Sequence, residues 1–262
     1  MEAKLFVQHG GLCRKLNHKG ECPPVVVAVM VKPRDETRGA RQSKSVYNDN
    51  WFDRIAINYL SQSVQATSGI RNDKTGYDSL VEAAKAVWQN FNHKKQHELV
   101  IHALHKAFPP PLFFLASFFF FFFFFIIRTL LPQSKFTREL YAVFTTFLFA
   151  WLVGPCEVKE SEMEGEGEKN VVHVKKCRFL EETSCAGMCI NLCKMPTQRF
   201  IKDTLGMPTN MVPNFDDMSC DMIIGQDPPA PADDPALKQP CYRIICKAKQ
   251  KHSTDCSNYL LD

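Results

Sequence analysis

The sequence predicts an α+β fold that is mainly helical, with N-terminal helices and a cysteine-rich C-terminal region that contains a small β-hairpin. Apolar residues recur at helical spacing between residues 46 and 111. Nine of the eleven cysteines lie after residue 155, where two short runs of strand-forming residues flank a polar loop. At 262 residues the chain can bury a full hydrophobic core, so its stability need not depend on disulfides alone.

Residues 1–45 form a basic leader. They contain nine Lys and Arg residues against four acidic residues, a balance of +5, and three prolines interrupt any helical period. The only apolar run, Val25–Val31, lies too far from the start for a secretory signal. We interpret the leader as an organelle transit peptide, with a disordered basic tail as the alternative. The net charge of the whole chain, +4, gives no indication of nucleic-acid binding.

The helical region, residues 46–111, is predicted to contain three helices. The first follows Asn48, Asp49 and Asn50, whose side chains can cap it, and a polar loop over residues 67–76 ends it. The second, residues 77–91, has the clearest helical period of apolar side chains. The third covers about residues 94–107 and ends before three consecutive prolines, which cannot continue a helix.

Four histidines lie on or beside the third helix. His93 and His97 are four residues apart and His102 and His105 are three apart, so each pair can share a helix face and bind a metal. No acidic residue or cysteine completes the ligand set at a suitable spacing. We therefore interpret these histidines as a solvated helix face or core edge, with a metal site as the alternative.

Residues 112–131 are a Phe-rich insert. Eight consecutive phenylalanines occupy Phe118–Phe125, and the apolar run of 16 residues spans only about 24 Å as a helix, short of the roughly 30 Å of a bilayer core. Poly-Phe is what a pyrimidine-rich stretch of nucleic acid encodes, and such stretches precede splice acceptors. We interpret the insert as a translated intron fragment, with a re-entrant or membrane-surface segment as the alternative.

The cysteine-rich region, residues 132–262, begins with a helix predicted over residues 136–153, which has a broad apolar surface and ends before a Gly-Pro pair. The predicted hairpin follows, with strands at 156–160 and 171–177. Its acidic loop, residues 161–170, is predicted to face water and to have no catalytic role.

Three cysteines at a spacing of four form the central motif: Cys185, Cys189 and Cys193. The spacing predicts that they lie along one side of a helix, which Thr183 or Ser184 caps and a following proline ends. Parallel thiols on one helix pair poorly with each other, but they can converge on a metal when a fourth ligand is added. Soft thiolates favour zinc, copper(I) or iron–sulfur centres. Small core residues or disulfide partners are the alternative.

Candidates for the fourth ligand lie downstream. The turn-rich loop 213–220 offers Asp216, Asp217 and Cys220, and the segment Cys241–Cys246 adds two further thiols. Any of these can fold back over the three-cysteine helix. The spacing leaves the choice between them open.

Seven strings in the C-terminal region carry a family resemblance. They read Trp-Leu-Val-Gly-Pro (151–155), Val-Lys-Lys-Cys-Arg (174–178), Cys-Ala-Gly-Met-Cys-Ile-Asn-Leu-Cys-Lys-Met-Pro-Thr-Gln (185–198), Pro-Asn-Phe-Asp-Asp-Met-Ser-Cys (213–220), Asp-Pro-Pro (227–229), Asp-Pro-Ala (234–236) and Gln-Pro-Cys-Tyr (239–242). In this order they resemble the plastid β-carotene isomerases of plants. The resemblance implies a chloroplast location, dependence on iron, and conversion of all-trans-β-carotene to its 9-cis isomer for strigolactone biosynthesis. The Phe-rich insert departs from the family pattern.

The resemblance also implies a site. Cys185, Cys189 and Cys193 are expected to hold the iron, mononuclear or in an iron–sulfur cluster, with Cys220 as the first choice for the fourth ligand. A redox-active iron can ease rotation about a conjugated double bond by exchanging one electron with the polyene, so no acid, base or nucleophile is required. Four aromatic residues are candidate walls of the substrate cavity, each with ordinary core packing as the alternative: Phe144, Phe147, Trp151 and Phe179.

The expected partner is a carotenoid, with peripheral membrane association and no nucleic acid. Two other functions stay open. One is a plastid iron–sulfur or redox protein without isomerase activity, which uses the same cysteines. The other is a disulfide-stapled binding module, which requires an oxidising compartment and no metal.

Overall fold

The computed structural model describes residues 45–107, 134–163 and 165–238. The predicted transit peptide up to residue 44, the Phe-rich insert and the two thiols of Cys241–Cys246 lie outside these residues. One hydrophobic core has members in all three described ranges. Within those ranges, no helix is both long enough and apolar enough to span a bilayer.

Three helices build the N-terminal part: α1 (Trp51–Ser68), α2 (Gly76–Asn90) and α3 (His93–Ala107). Of the three candidate caps, Asn50 caps α1. Its side chain accepts the backbone N–H of Asp53 at 3.0 Å, and the Asp53 carboxylate accepts the Asn50 N–H at 3.0 Å. This reciprocal pair satisfies donors that the first turn of a helix otherwise leaves unpaired. The apolar faces of the three helices pack on one another, as their period predicts.

The next helical stretch is divided into α4 (Lys135–Leu148) and α5 (Ala150–Val153). The prediction of one continuous helix here is wrong, because Phe149 leaves the helical region with φ of −116° and ψ of 1°. The turn at this residue brings Trp151 and Val153 into the core, where they are 4% and 7% exposed. Packing of α5 therefore overrides the local preference for an unbroken helix.

A four-stranded antiparallel sheet follows, with strand order β1-β2-β4-β3. The predicted hairpin is present as β1 and β2, but most of the predicted acidic loop, residues 161–170, belongs to the strands. Pairing continues beyond a register shift between Lys159 and Ser161. The loop predicted near residues 213–220 connects two strands that the sequence did not indicate. The strands are β1 (Cys156–Met163), β2 (Glu166–Val174), β3 (Thr209–Pro213) and β4 (Cys220–Ile224).

Glu168 in β2 is buried, so the expectation that the acidic segment faces water is wrong at this residue. Its side chain is 3% exposed, and the Arg138 guanidinium of α4 donates two hydrogen bonds to it, at 2.7 and 2.5 Å. Such a bidentate pair with an arginine compensates for the loss of hydration of a buried carboxylate. Gly225 leaves the room for it, because a Cβ at that position would lie 2.1 Å from the Arg138 Cδ.

We expect this ion pair to give the fold part of its resistance to acid. The hydrogen bonds from Arg138 lower the pKa of Glu168. Their contribution is complete above the ordinary glutamate pKa of about 4.3 and is lost as the pH falls through the lowered value. Glu168→Gln should therefore reduce the free energy of unfolding at pH 7. Between pH 5 and pH 3, the free energy of unfolding should fall less steeply with pH in this variant than in the wild type. Urea denaturation at each pH tests this, with the exposed Glu166→Gln as control; identical slopes in both variants would contradict it.

Arg178 joins the N-terminal helices to the cysteine-rich region. Its guanidinium donates to both carboxylate oxygens of Asp49 at 2.6 and 2.9 Å. It also lies 4.6 Å from the ring centre of Tyr47 and 3.8 Å from that of Tyr77. The Tyr77 hydroxyl in turn donates to the carbonyl of Leu152 at 2.6 Å. This buried network fixes α2 against the segment that leads into the cysteine motif.

Candidate functional site

The cysteine motif begins differently from the prediction. Thr183 belongs to a short helix, α6 (Arg178–Thr183), and donates its hydroxyl to the carbonyl of Phe179 at 2.7 Å. Ser184 ends α6 with φ of +46°. Neither residue therefore caps the cysteine helix, and the predicted cap is wrong. Cys185 precedes that helix instead of lying within it.

The cysteine helix is a continuous helical stretch over residues 186–205. Its parts are α7 (Ala186–Met188), a π-helical turn (Cys189–Lys194), α8 (Met195–Phe200) and a second π-helical turn (Ile201–Leu205). The predicted end at Pro196 is wrong. This proline stands in the first turn of α8, directly after a widened π-helical turn, where its missing N–H and its ring are tolerated.

The helix lies directly on α2. A Cβ on Gly187 would meet the ring of Trp88 at 2.5 Å, so glycine permits this close approach. The π-helical turn then changes the angular spacing of the thiols from that of an α-helix. The α-helical argument that three sulfurs share one side consequently does not hold here, and the positions of the cysteines follow from tertiary structure.

Four cysteines line one cavity, which we call the thiol cavity: Cys177, Cys189, Cys193 and Cys220. Two of them come from the cysteine helix. The other two meet at one end of the sheet, because Cys220 pairs with Val174 in register and the Cys177 N–H donates to the carbonyl of Met218 at 2.7 Å. The empty volume is about 390 Å³ and the remaining lining is mostly aliphatic.

The predicted ligands are thus placed unevenly. Cys189, Cys193 and Cys220 come together at the thiol cavity, whereas Cys185 is fully buried but does not line it. Cys177 was not among the predicted ligands. Its position inside one of the family strings, directly after a strand, was the signal that could have indicated it.

Burial controls the chemistry of these thiols. It raises the pKa of Cys193 to about 12 and the pKa values of Cys189 and Cys220 well above the ordinary value, and neighbouring thiols raise them further. Cys177 is shifted in the same direction, again mainly by burial. All six cysteines in the described ranges carry free thiols. At neutral pH the four thiols of the cavity are therefore protonated in the protein alone.

Four soft sulfur donors around one small cavity suit the donor chemistry of iron, zinc or copper(I). Nevertheless, no three His, Cys, Asp or Glu side chains among the described residues already stand close enough to hold a metal ion. Binding would therefore require the thiols to turn toward a common point and to release their protons. The four sulfur donors are of the type that a soft metal prefers, but their present positions do not form a coordination sphere.

Among the described residues that line the thiol cavity, only Lys194 carries a charge. Its ammonium is 2.8 Å from the Asp234 carboxylate, and both side chains are at most 5% exposed. The ammonium also donates to the carbonyl of Met211 at 2.5 Å. The pair fixes the segment around residue 234 against the cysteine helix and neutralises the charge next to the thiols.

The predicted aromatic walls separate into three environments. Phe179 lines a second cavity between α1, α2, α3 and the cysteine helix, which we call the helical cavity. Trp151 is buried in the core, and Phe144 packs partly buried against it. Phe147 is 78% exposed. Only Phe179 among the four lies on a cavity that also contacts a cysteine of the motif.

The histidines of α3 occupy separate environments. Burial lowers the pKa of His97, and the ring of His105 packs edge-on against Phe200 at 5.0 Å. No metal-holding group that includes a histidine exists in the described part of the chain. His105 therefore has a packing role at the contact between α3 and the cysteine helix.

The described part of the chain defines a class of protein: an α+β fold in which helices and a small antiparallel sheet enclose a cavity with four free thiols. A family model described as "Beta-carotene isomerase D27-like, C-terminal" matches residues 151–233. This range contains all four cysteines of the thiol cavity.

Two curated proteins extend the similarity to most of the chain. A Medicago truncatula protein named "Beta-carotene isomerase D27, chloroplastic" is 58% identical over 232 residues, which cover 88% of this chain and 87% of the relative. The Arabidopsis thaliana protein of the same name is 44% identical over 243 residues, covering 92% and 85%. No solved structure matches the chain. The chain belongs to the β-carotene isomerase D27 family, and the predicted family and chloroplast location are confirmed.

Proposed function

We propose that this protein is a chloroplast isomerase that converts all-trans-β-carotene to 9-cis-β-carotene and thereby supplies strigolactone biosynthesis. Membership of the D27 family and the names of both relatives support this proposal. The observation that carries it is the thiol cavity, which combines four thiols with a lining that is apolar except for Lys194 and Ser219, next to a second apolar cavity. This combination suits a hydrocarbon substrate and a redox centre.

The thiol cavity offers little for acid–base catalysis. Its described lining contains no carboxylate and no imidazole, and its one charge, Lys194, is neutralised by Asp234. Rotation about a carbon–carbon double bond requires the π bond to weaken and moves no proton. Aliphatic side chains such as Val153, Val174 and Met222 exclude water from the place where the weakened bond would be exposed.

We propose iron as the cofactor, held by the four cysteines of the thiol cavity. Relative to the prediction from the motif, Cys177 replaces Cys185, because Cys177 lines the cavity and Cys185 does not. When bound, iron supplies one-electron exchange with a conjugated polyene, which lowers the order of the bond that rotates. The chain contributes the soft thiol donors and the dry apolar surroundings.

Peripheral association with a membrane completes the proposal, since the hydrocarbon substrate resides there. Two aromatic side chains are available to contact a lipid surface: Trp51 is 75% exposed and Phe147 is 78% exposed. Such association requires no spanning helix.

The expected result in vitro is an iron-dependent accumulation of the 9-cis isomer. Iron-loaded full-length protein is incubated with all-trans-β-carotene in detergent micelles in the dark, and the isomers are separated chromatographically. The 9-cis fraction should exceed that of the metal-free protein and of a protein-free sample. Iron binding without any change in the isomer fractions would instead favour a redox protein of the plastid.

A further inference from the structure

The helical cavity is lined almost entirely by hydrocarbon. Helices α1, α2 and α3 and the cysteine helix contribute its walls, and Leu80, Ala84 and Ala103 are typical members. Among the described lining residues, only Cys193 and Thr197 bring a side-chain heteroatom. The empty volume between these walls, with the solvent at the opening included, is about 600 Å³.

Cys193 lies at the boundary between the two cavities. It lines the helical cavity on one side and the thiol cavity on the other. A ligand that extends along the helical cavity past Cys193 therefore approaches the other three thiols. The widened π-helical turn that carries Cys193 is the part of the helix that both cavities share.

We propose that the helical cavity binds one cyclic end of the carotenoid, with the adjoining part of its polyene directed past Cys193 toward the thiol cavity. This inference rests on the proposed function. A carotene ring has only hydrocarbon to bury, and the lining provides a matching surface. A polar ligand would leave its polar groups unpaired against these walls. The whole carotenoid is longer than the cavity, so one end occupies it.

Two small side chains set the space for the ring. Ala84 of α2 and Ala103 of α3 are 7% and 1% exposed and line the cavity. A larger residue at either position fills volume that the ring requires. Ala83 provides a matched control, because it is 1% exposed on the same helix as Ala84 but does not line the cavity.

The test measures binding of β-ionone, a fragment that carries the carotene ring and cannot report isomerisation. Equilibrium dialysis should show saturable binding to the wild type and an affinity at least about tenfold weaker for Ala84→Leu, with Ala83→Leu within about twofold of the wild type. Helicity and Tm confirm folding of each variant. Ala103→Leu repeats the test from the opposite wall.

A second measurement needs no variant. A photoactivatable β-ionone analogue should label the wild-type protein in peptides from α1–α3, from the cysteine helix, or around Leu152 and Phe179, which also line the cavity. Absence of saturable binding, equal affinity in all folded variants, or labelling confined to other peptides would overturn the inference. If β-ionone binds as expected but β-carotene is not isomerised, the proposed reaction fails and the ring site stands.

Discussion

Replacing Cys189 or Cys220 with serine is expected to remove most of the bound iron and to abolish isomerisation in the same protein. A hydroxyl is a poor substitute for a thiolate toward a soft metal. Loss of an outer-shell partner alone costs about 10–100-fold in metal affinity or activity, and loss of a ligand should exceed the upper figure. Iron content by elemental analysis and 9-cis product by chromatography are measured on the same preparations. Cys177→Ser and Cys193→Ser should behave alike, because all four thiols line one cavity.

Cys156→Ser is the control for this series. Its thiol is partly buried and donates to the carbonyl of Gly154 at 3.1 Å, away from the lining of the thiol cavity. It should retain iron and activity.

Cys185→Ser separates two ligand sets. If Cys185→Ser keeps its iron, the ligand set that includes Cys177 is supported. If Cys185→Ser loses its iron and Cys177→Ser keeps it, the set predicted from the motif spacing is supported. Any of these substitutions can lower stability by a few kcal/mol through an unsatisfied buried hydroxyl. Full iron and full activity in all the cavity variants would end the metal-site proposal.

Local sequence signals were sufficient for the N-terminal helices. The Asn50 cap and the apolar period of α2 each act within a few residues, and the structure follows them. The prolines predicted to end α3 lie outside the described residues. The hairpin and the α+β class were predictable for the same reason. The length of β1 and β2 was not, because the acidic residues between them continue the pairing, and an arginine from α4 neutralises Glu168.

The candidate site depended on contacts that local signals do not contain. The spacing of the motif indicated metal-binding thiols, but Cys177 joins the cavity through the pairing of β2 with β4, which the sequence did not reveal. Cys185 has an extended backbone, with φ of −142° and ψ of 112°, and stands just before the first residue of the cysteine helix. Pro196 continues the helix because a π-helical turn precedes it. In each case tertiary packing decides among conformations that the local sequence allows.

Replacing Asp234 with asparagine is expected to lower the free energy of unfolding by about 3–5 kcal/mol, because it leaves a buried ammonium without a counter-charge. Lys194 is among the most deeply buried large side chains of the protein, at 1% exposure. The Met211 carbonyl still accepts one of its hydrogen bonds but does not neutralise it. Asparagine keeps the size of the side chain and an oxygen for the Ala236 N–H, which Asp234 accepts at 3.0 Å. The substitution therefore removes the charge and also replaces the oxygen that faces the Lys194 ammonium by an amide NH2, which cannot accept a hydrogen bond from it.

Urea denaturation compares this variant with Asp227→Asn, which removes the same charge from an exposed pair. Lys202 and Asp227 are 55% and 64% exposed, so their pairing is worth at most about 1 kcal/mol. Combining Lys194→Met with Asp234→Asn should recover much of the loss, because the buried ammonium is then absent. Equal losses for Asp234→Asn and Asp227→Asn would show that the buried pair does not stabilise the wall of the thiol cavity. A large loss that Lys194→Met relieves would show that charge neutralisation, and not the shape of the aspartate, holds residue 234 against the cysteine helix.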